Sequence, residues 1–255
     1  MTIPLDAPQL GLVRVIGAGR AGGSFARALR DAGYEVDGPW ERGRSLATAC
    51  EGVQCVLICV SDDAVAEVAA HITPVPGVVM AHVAGSLGLD VFAHRFDRVG
   101  SIHPLVSLTD PEAGSTLLAQ GATFAVAGDD LLHAMVLALG GRCVEVPDVH
   151  RAAYHAAACI ASNHLVALMG QVERVGAGIG LPFEVFLGLV EGTLANVARV
   201  GPGRALTGPA ARGDQETLNR HLAALDPSER GAYEAMMACA QRLARETASG
   251  QTGSG

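Results

Sequence analysis

The stretch "VRVIGAGRAGGSFARAL", residues 13–29, decides the fold class of this chain. It starts as a short apolar strand, predicted over residues 12–16, and runs directly into Gly17-x-Gly19-x-x-Gly22. A helix with small residues on its early turns follows, and then a second strand, "YEVDG". A strand, a glycine turn of this spacing, a helix and another strand together predict a dinucleotide-binding turn.

Each glycine of the turn has a separate predicted role. Gly17 permits the tight turn, Gly19 lets the backbone approach a pyrophosphate, and Gly22 lets the helix and the strand pack closely. The N-terminus of the helix, with Arg20 and Ala21, is expected to offer unpaired N–H groups to the phosphates.

The group that reads the adenosine ribose is expected about 20 residues beyond the turn. The sequence there is "PWERGRS". Glu41 would accept hydrogen bonds from a free 2′-hydroxyl, which favours NAD, whereas Arg42, Arg44 and Ser45 would hold a 2′-phosphate. Two arginines and a hydroxyl beside one carboxylate favour NADP, and NAD remains the alternative.

The chain continues as alternating strands and helices up to Pro147. Apolar strands are predicted in "VQCVLICV", "GVVMAHVAGS", "RVGSIHP", "ATFAVAG" and "RCVEVP". This alternation predicts a doubly wound, mostly parallel α/β sheet of the Rossmann-like type. Ligands of such sheets lie at the carboxyl ends of the strands. We therefore expect cofactor contacts from Val60 and Ser61, and site residues at His82, Ser86 and His103.

After residue 147 strand signals disappear and an all-helical C-terminal domain is predicted. Helices are expected at 148–176, 182–199, 214–225 and 228–247, with Asp148, Asp214 and Ser228 as N-caps. The predicted organisation is a dinucleotide-binding domain over 1–147, a helical substrate and dimerisation domain over 148–247, and a disordered tail over 248–255.

Composition excludes several classes of function. A net charge of −8 argues against general nucleic-acid binding, and no apolar run is long enough to span a membrane. The start "MTIPLDAPQLG" lacks the features of a secretion signal, so we expect a cytoplasmic protein. All 18 basic residues are arginine, which rules out a catalytic lysine. The six cysteines have no CxxC spacing and are expected to be reduced, and no histidine spacing supports a metal site.

The second half of the chain resembles a known family. The glycine turn, "HPL" at 103–105, "YHAAACIASNHLVAL" and "LTGPAARGD" are similar to Rossmann-like proteins whose helical C-terminal domain has no assigned function. These proteins look like distant relatives of the 6-phosphogluconate dehydrogenase and ketopantoate reductase superfamily, and of deazaflavin-dependent NADP reductases. The resemblance implies a two-domain NAD(P)-linked oxidoreductase, dimeric through the helical domain.

The chain departs from those relatives at the proton donor. Asn163 matches an asparagine of the ketopantoate reductases, but the position one turn earlier, where they have a lysine, is Cys159. On a continuous helix His155, Cys159, Ser162 and Asn163 share one face. We expect His155 or His103 to donate the proton, with Ser162 and Asn163 holding the substrate.

An anion anchor is expected in "TGPAARGD". Arg212 would bind a substrate carboxylate, and Asp214 would either orient it or cap the next helix. The leading hypothesis is an NADPH-dependent reductase of a small 2-oxo acid such as ketopantoate, a substrate that rests entirely on the resemblance. A non-catalytic NAD(P)-binding protein and a deazaflavin-linked NADP reductase are the alternatives.

Overall fold

The computed structural model describes residues 11–252. Two terminal segments lie outside this range. The first is residues 1–10, most of the stretch that lacks the features of a secretion signal, and the second is residues 253–255 of the predicted tail. The contacts divide the chain into two compact units, one up to Ser162 and one from Asn163 onward. The domain boundary after residue 147 stays a prediction; by contacts, the first helix after it belongs to the first unit.

The first unit contains a seven-stranded sheet among its described residues, in the order β2-β1-β3-β4-β5-β6-β7. The strands are β1 Val13–Ile16, β2 Val36–Trp40, β3 Cys55–Ile58, β4 Val79–His82, β5 Arg98–Pro104, β6 Thr123–Gly128 and β7 Arg142–Glu145. All neighbouring strands pair in parallel except β5 and β6, which are antiparallel. The predicted mostly parallel α/β fold is confirmed.

Helices cover the sheet of the first unit. They are α1 Arg20–Asp31, α2 Val65–Ala70, α3 Pro111–Ala119, α4 Asp130–Ala138 and α5 Arg151–Cys159, and a 3₁₀ turn, Asp62–Ala64, precedes α2. Two apolar clusters, which include Phe25, Leu57 and Phe124 in one and Ile58 and Met80 in the other, are buried. Such fully buried strands explain the near-continuous apolar runs of the sequence.

Helix α3 was missed by the sequence analysis. The Asp110 carboxylate accepts hydrogen bonds from the N–H groups of Glu112 and Ala113, and Pro111 occupies the first turn, so the signals of a helix start were present. Helix α3 packs closely on α1, because a Cβ on Gly23 would lie 2.8 Å from Pro111 side-chain atoms.

The long helix predicted over 148–176 is interrupted. Residues Asp148–His150 form a 3₁₀ turn, α5 follows, and Ile160–His164 form a π-helical turn before α6, Leu165–Gly178. A π turn bonds residue i to i+5 and so inserts one residue into the helical register. The predicted alignment of Ser162 with His155 on one straight α-helix is therefore wrong.

The second unit is helical throughout its described part. After α6 come α7 Glu184–Val200, α8 Pro202–Ala205, α9 Pro209–Arg212, α10 Gln215–Ala224 and α11 Pro227–Thr252. The Asp214 cap is confirmed by its bond from the Thr217 N–H at 3.1 Å. Ser228 is not a cap; the Asp226 carboxylate instead accepts from the Ser228 N–H. Helix α11 also continues through 248–252, where a disordered tail was expected.

No helix within residues 11–252 combines the length and the apolar composition that a membrane crossing requires. The cytoplasmic location stays a prediction.

Candidate functional site

The glycine turn connects β1 to α1 as predicted. Gly17 has φ +107°, and a Cβ there would lie 2.3 Å from the Cys59 carbonyl oxygen. A Cβ on Gly22 would lie 1.8 Å from the Gly17 carbonyl oxygen. Both positions therefore need glycine for the fold itself. Gly19 differs, because a Cβ there would meet no described atom within 4 Å and its φ of −75° suits any residue.

Helix α1 begins without a side-chain cap. Gly19 is the N-cap residue, no acidic residue lies in the first turn, and Arg20 is exposed. The N–H groups of the first turn are therefore left to a ligand or solvent, and the macrodipole favours an anion there. The open space at Gly19 together with these donors fits a pyrophosphate.

A stacked group lies at the end of β2. The Arg44 guanidinium carbon is 4.4 Å from the centroid of the Trp40 ring, and Arg14 lies 4.6 Å from the same ring. The Trp40 indole also donates to Asp37 at 3.0 Å. Trp40 thus limits the movement of an otherwise exposed arginine. The remaining predicted ribose-end residues, Glu41, Arg42 and Ser45, are exposed at the same strand end.

A histidine–tyrosine pair occupies the carboxyl end of β5. The Tyr154 hydroxyl lies 2.7 Å from Nδ1 of His103, in a hydrogen bond that joins α5 to the strand. The His155 ring lies edge-on to the His103 ring at a centroid distance of 5.8 Å. The Cys159 sulfur is 4.0 Å from Nε2 of His155. The structure thus brings together both predicted donors, and it adds Tyr154, which the sequence analysis missed.

A buried arginine lies beneath this pair. Arg151 is 1% exposed, and its Nη2 donates to the Ser101 hydroxyl of β5. Its Nε lies 3.7 Å from Asp148, at the limit of an ion pair, and its Nη1 has no hydrogen-bond partner among the described residues. His82 at the end of β4 is also fully buried, with no well-aligned partner for either ring nitrogen among those residues. Its ring packs on Phe92 at 5.6 Å.

Burial and charge keep both strand histidines neutral. Burial, with smaller contributions from His155 and Arg151 and against the Asp62 carboxylate, lowers the pKa of His103 to about 4. Burial and, to a lesser extent, Arg151 likewise lower the pKa of His82 to about 4, against a hydrogen bond with the Gly88 backbone. Near pH 7 neither ring carries the proton that an imidazolium acid would donate.

The pKa of Tyr154 is shifted in the direction that keeps its proton. Burial raises the pKa of Tyr154, and the charge of Arg151 opposes this shift. The hydroxyl is therefore protonated near neutral pH and is able to donate a proton.

Two loops complete the same edge of the sheet. The Ser86 hydroxyl, after β4, donates to the Asp62 carboxylate, after β3. Gly85 lies directly under the imidazole, because a Cβ there would be 2.7 Å from Nε2 of His103. Val60 and Ser61 lie at the end of β3, where they were expected, half-buried and exposed respectively.

Two other predicted site residues belong to the second unit. They are Asn163 and Arg212 of α9, and both are exposed. Asp214 caps α10. Asp148 was predicted to be an N-cap, but its carboxylate instead accepts a hydrogen bond from the Leu89 N–H at 3.1 Å. One feature of the sequence could have indicated that Tyr154 and Arg151 lie together: they are three residues apart and therefore share a helix face.

The described residues contain no group of three or more His, Cys, Asp or Glu side chains placed to hold a metal ion. The cysteines are all free. Cys50, Cys55 and Cys59 are buried, Cys143 and Cys159 are partly buried, and Cys239 is exposed.

Comparisons with known proteins place this geometry among Rossmann-like structures. A family profile described as "Domain of unknown function (DUF2520)" matches residues 122–239. No curated protein sequence matches the chain.

Three solved structures are similar over almost the whole chain. The Bacteroides fragilis protein BF3122, named as a candidate NADP oxidoreductase, is 22% identical with a TM-score of 0.79, over 92% of this chain and 100% of its own. Plasmodium falciparum pyrroline carboxylate reductase with NADP bound is 12% identical with a TM-score of 0.61, over 93% and 100%. An Aspergillus terreus reductive aminase in complex with NADPH4, cyclohexanone and allyl amine is 16% identical with a TM-score of 0.68, over 92% and 94%. These likenesses establish the fold.

Proposed function

We propose that this protein is an NADP(H)-dependent oxidoreductase that reduces a small carbonyl compound. The Tyr154–His103 pair carries the proposal, because a protonated hydroxyl and a neutral imidazole meet at the carboxyl edge of the sheet. The glycine turn belongs to the same edge, where open sheets of this type bind ligands. The similar structures with NADP or NADPH support the choice of cofactor.

The cofactor is proposed to bind through named parts of the first unit. The N–H groups of the first turn of α1 would hold the pyrophosphate over Gly19, while Arg44, stacked on Trp40, would hold the 2′-phosphate with Arg42 and Ser45. Arginine suits a phosphate because its planar fork matches the oxygens, so we favour NADP over NAD. When bound, NADPH supplies the hydride.

Tyr154 is proposed to supply the proton. Its hydroxyl transfers its proton to the substrate oxygen as negative charge develops there, and the tyrosinate formed is stabilised by a hydrogen bond from the Nδ1–H tautomer of neutral His103 until solvent returns the proton. This assignment replaces the expectation that His103 is an imidazolium acid, since the pKa of His103 is about 4. His155 stays a predicted donor. His155, whose ring faces that of His103, would line the substrate side of the pair.

A small 2-oxo acid such as ketopantoate remains the proposed substrate class. Ser86, Ser162 and Asn163 stay predicted substrate contacts, and Arg212 stays the predicted carboxylate anchor. Reduction of a carbon–nitrogen double bond is a second candidate. An iminium ion already carries its proton, so a site with neutral histidines and no lysine suits it, and similar structures include a reductive aminase and pyrroline carboxylate reductase.

We also propose a homodimer formed through the helical unit. Helix α7 has no buried residue along its described length, although it carries several large apolar side chains: Val185, Leu187, Leu189, Leu194 and Val197. An apolar surface of this kind marks a protein interface. Analytical ultracentrifugation should give a dimer mass, and Leu189→Glu should shift it towards the monomer; a monomeric wild type contradicts the proposal.

The test of the proposed function is NADPH oxidation with two substrate panels, one of 2-oxo acids with ketopantoate first and one of cyclic imines. Turnover of a 2-oxo acid that Tyr154→Phe abolishes, with NADPH affinity retained, supports the proposal, whereas turnover of a cyclic imine that survives Tyr154→Phe favours the second candidate. NADPH binding with no turnover in either panel favours the non-catalytic alternative. A spectral change on mixing reduced deazaflavin with NADP and the protein favours the deazaflavin-linked reductase.

A further inference from the structure

Arg151 is an unusual feature of the first unit, since it buries a guanidinium with few partners. It is 1% exposed. Among the described residues its Nη2 donates a hydrogen bond to the Ser101 hydroxyl, and its Nη1 has no hydrogen-bond partner. Burying a charge this way costs more than an apolar side chain of the same size would. Stability alone therefore does not account for an arginine at this position.

The anchor of Arg151 lies between the two neutral imidazoles. Ser101 pairs in register with His82 on the neighbouring strand, and His103 is two residues further along β5 on the same face as Ser101. Tyr154 lies one helical turn after Arg151 on α5 and reaches His103 at 2.7 Å. One buried cation thus adjoins the hydroxyl and both strand histidines.

Burial is the main cause of the low pKa of both histidines, and charges of both signs modify it. The Asp62 carboxylate raises the pKa of both His82 and His103, and Asp148 also raises that of His82. Arg151 lowers both, and His155 lowers that of His103. Arg151 is therefore the fixed positive charge that counters two carboxylates.

We propose that Arg151 is a positioning residue: it fixes the first turn of α5 on β5 through Ser101 and places a buried positive charge beside His82 and His103, so that the Tyr154 hydroxyl delivers the proton. The inference rests on the proposed function for the proton delivery. The electrostatic part concerns the free protein and can be measured without a substrate.

The experiment compares Arg151→Met, which removes the charge and keeps the length, with Arg151→Lys, which keeps the charge. The imidazole pKa values of wild type and variants are read by NMR titration, with His82→Asn and His103→Asn used for assignment. In Arg151→Met the pKa of His103 should rise above about 4 but stay below the ordinary value of about 6.5, because burial and His155 still lower it, and in Arg151→Lys it should stay low. An unchanged His103 pKa in a folded Arg151→Met overturns the proposal.

Turnover gives a second readout. The kcat of Arg151→Met should fall about tenfold or more, and its pH profile should gain an acid limb at the raised imidazole pKa. If Arg151→Met does not fold, Ser101→Ala takes its place: it should lower kcat while leaving the His103 pKa low, and a wild-type kcat would overturn the positioning role.

The two proposals fail in different ways. A wild type that binds no NADPH removes the proposed function, whatever the titration of the histidines shows. If the wild type is active and Arg151→Met has the same kcat and the same His103 pKa as the wild type, only the proposed role of Arg151 is removed.

Discussion

The Tyr154 hydroxyl and Nδ1 of His103 lie 2.7 Å apart, with the two rings edge-to-face at 5.6 Å. This pair joins a helix to the carboxyl end of a sheet strand in a chain that contains no lysine. A second pair of the same type lies in the helical unit, where the Tyr233 hydroxyl is 2.7 Å from Nδ1 of His221. The chain therefore offers its own matched control for the role of the first pair.

Tyr154→Phe removes the proposed proton donor and leaves the ring in place. Its kcat should fall about 10²- to 10⁴-fold, because general acid catalysis contributes that range, while the Kd for NADPH stays unchanged. Tyr233→Phe should retain the wild-type kcat. Equal turnover of wild type and Tyr154→Phe in steady-state NADPH oxidation would remove Tyr154 from the reaction.

Gly85→Ala tests the position of the imidazole. The added methyl group would lie 2.7 Å from Nε2 of His103 and so displace the ring from the position in which it bonds Tyr154. We expect kcat to fall about a hundredfold, as misplacement by about 1 Å does in other enzymes. Gly231→Ala is the control, since a Cβ there meets no described atom within 4 Å. Full activity of Gly85→Ala would mean that the ring position does not matter.

Arg44→Ala tests the choice between NADP and NAD. Loss of a charged contact to the 2′-phosphate should cost about 1.5–3 kcal/mol, or roughly ten- to a hundredfold in the Kd for NADPH. The Kd for NADH should not change, which makes NADH the internal control in the same calorimetric titrations. A proportional loss for both dinucleotides would place Arg44 elsewhere on the cofactor.

The stability of the protein should fall in acid because of His82. Its pKa in the folded state, about 4, lies below the ordinary value of about 6.5. The unfolded chain therefore binds a proton that the folded chain does not, and stability falls as the pH drops from 6.5 towards 4. His82→Leu should reduce this slope by up to about 1.4 kcal/mol per pH unit, measured by denaturant unfolding. Parallel curves for the two proteins would contradict the assignment.

Local pattern was enough to predict the fold of the half that contains the sheet. The spacing of the glycines, the apolar strands and the alternation with helices led to β1 through β7 with small errors at the ends. Helix α3 was overlooked although Asp110, Pro111 and Glu112 give an ordinary helix start. The sequence analysis assigned no element to "TDPEAGSTLLA", which lies between β5 and β6.

The candidate site was predicted less well, because it depends on contacts between distant segments. His103 and His155 were chosen as separate donors, and nothing in the sequence indicates that Tyr154, next to one of them, reaches the other. The buried state of Arg151 depends on packing against β5, which no local pattern reveals. The π turn at Ile160–His164 changed the helical register on which the alignment of Ser162 with His155 depended.

The most direct test of the account is a calorimetric titration of NADPH into the wild type and two glycine variants. The wild type should bind with a micromolar Kd and prefer NADPH to NADH. Gly19→Ala should fold with an unchanged Tm and lose that binding, because its methyl group enters only the space proposed for the pyrophosphate. Gly22→Ala should instead lower the Tm, since its methyl group meets the Gly17 carbonyl. A wild type that binds neither dinucleotide, or a Gly19→Ala variant that binds NADPH as tightly as the wild type, would contradict the account.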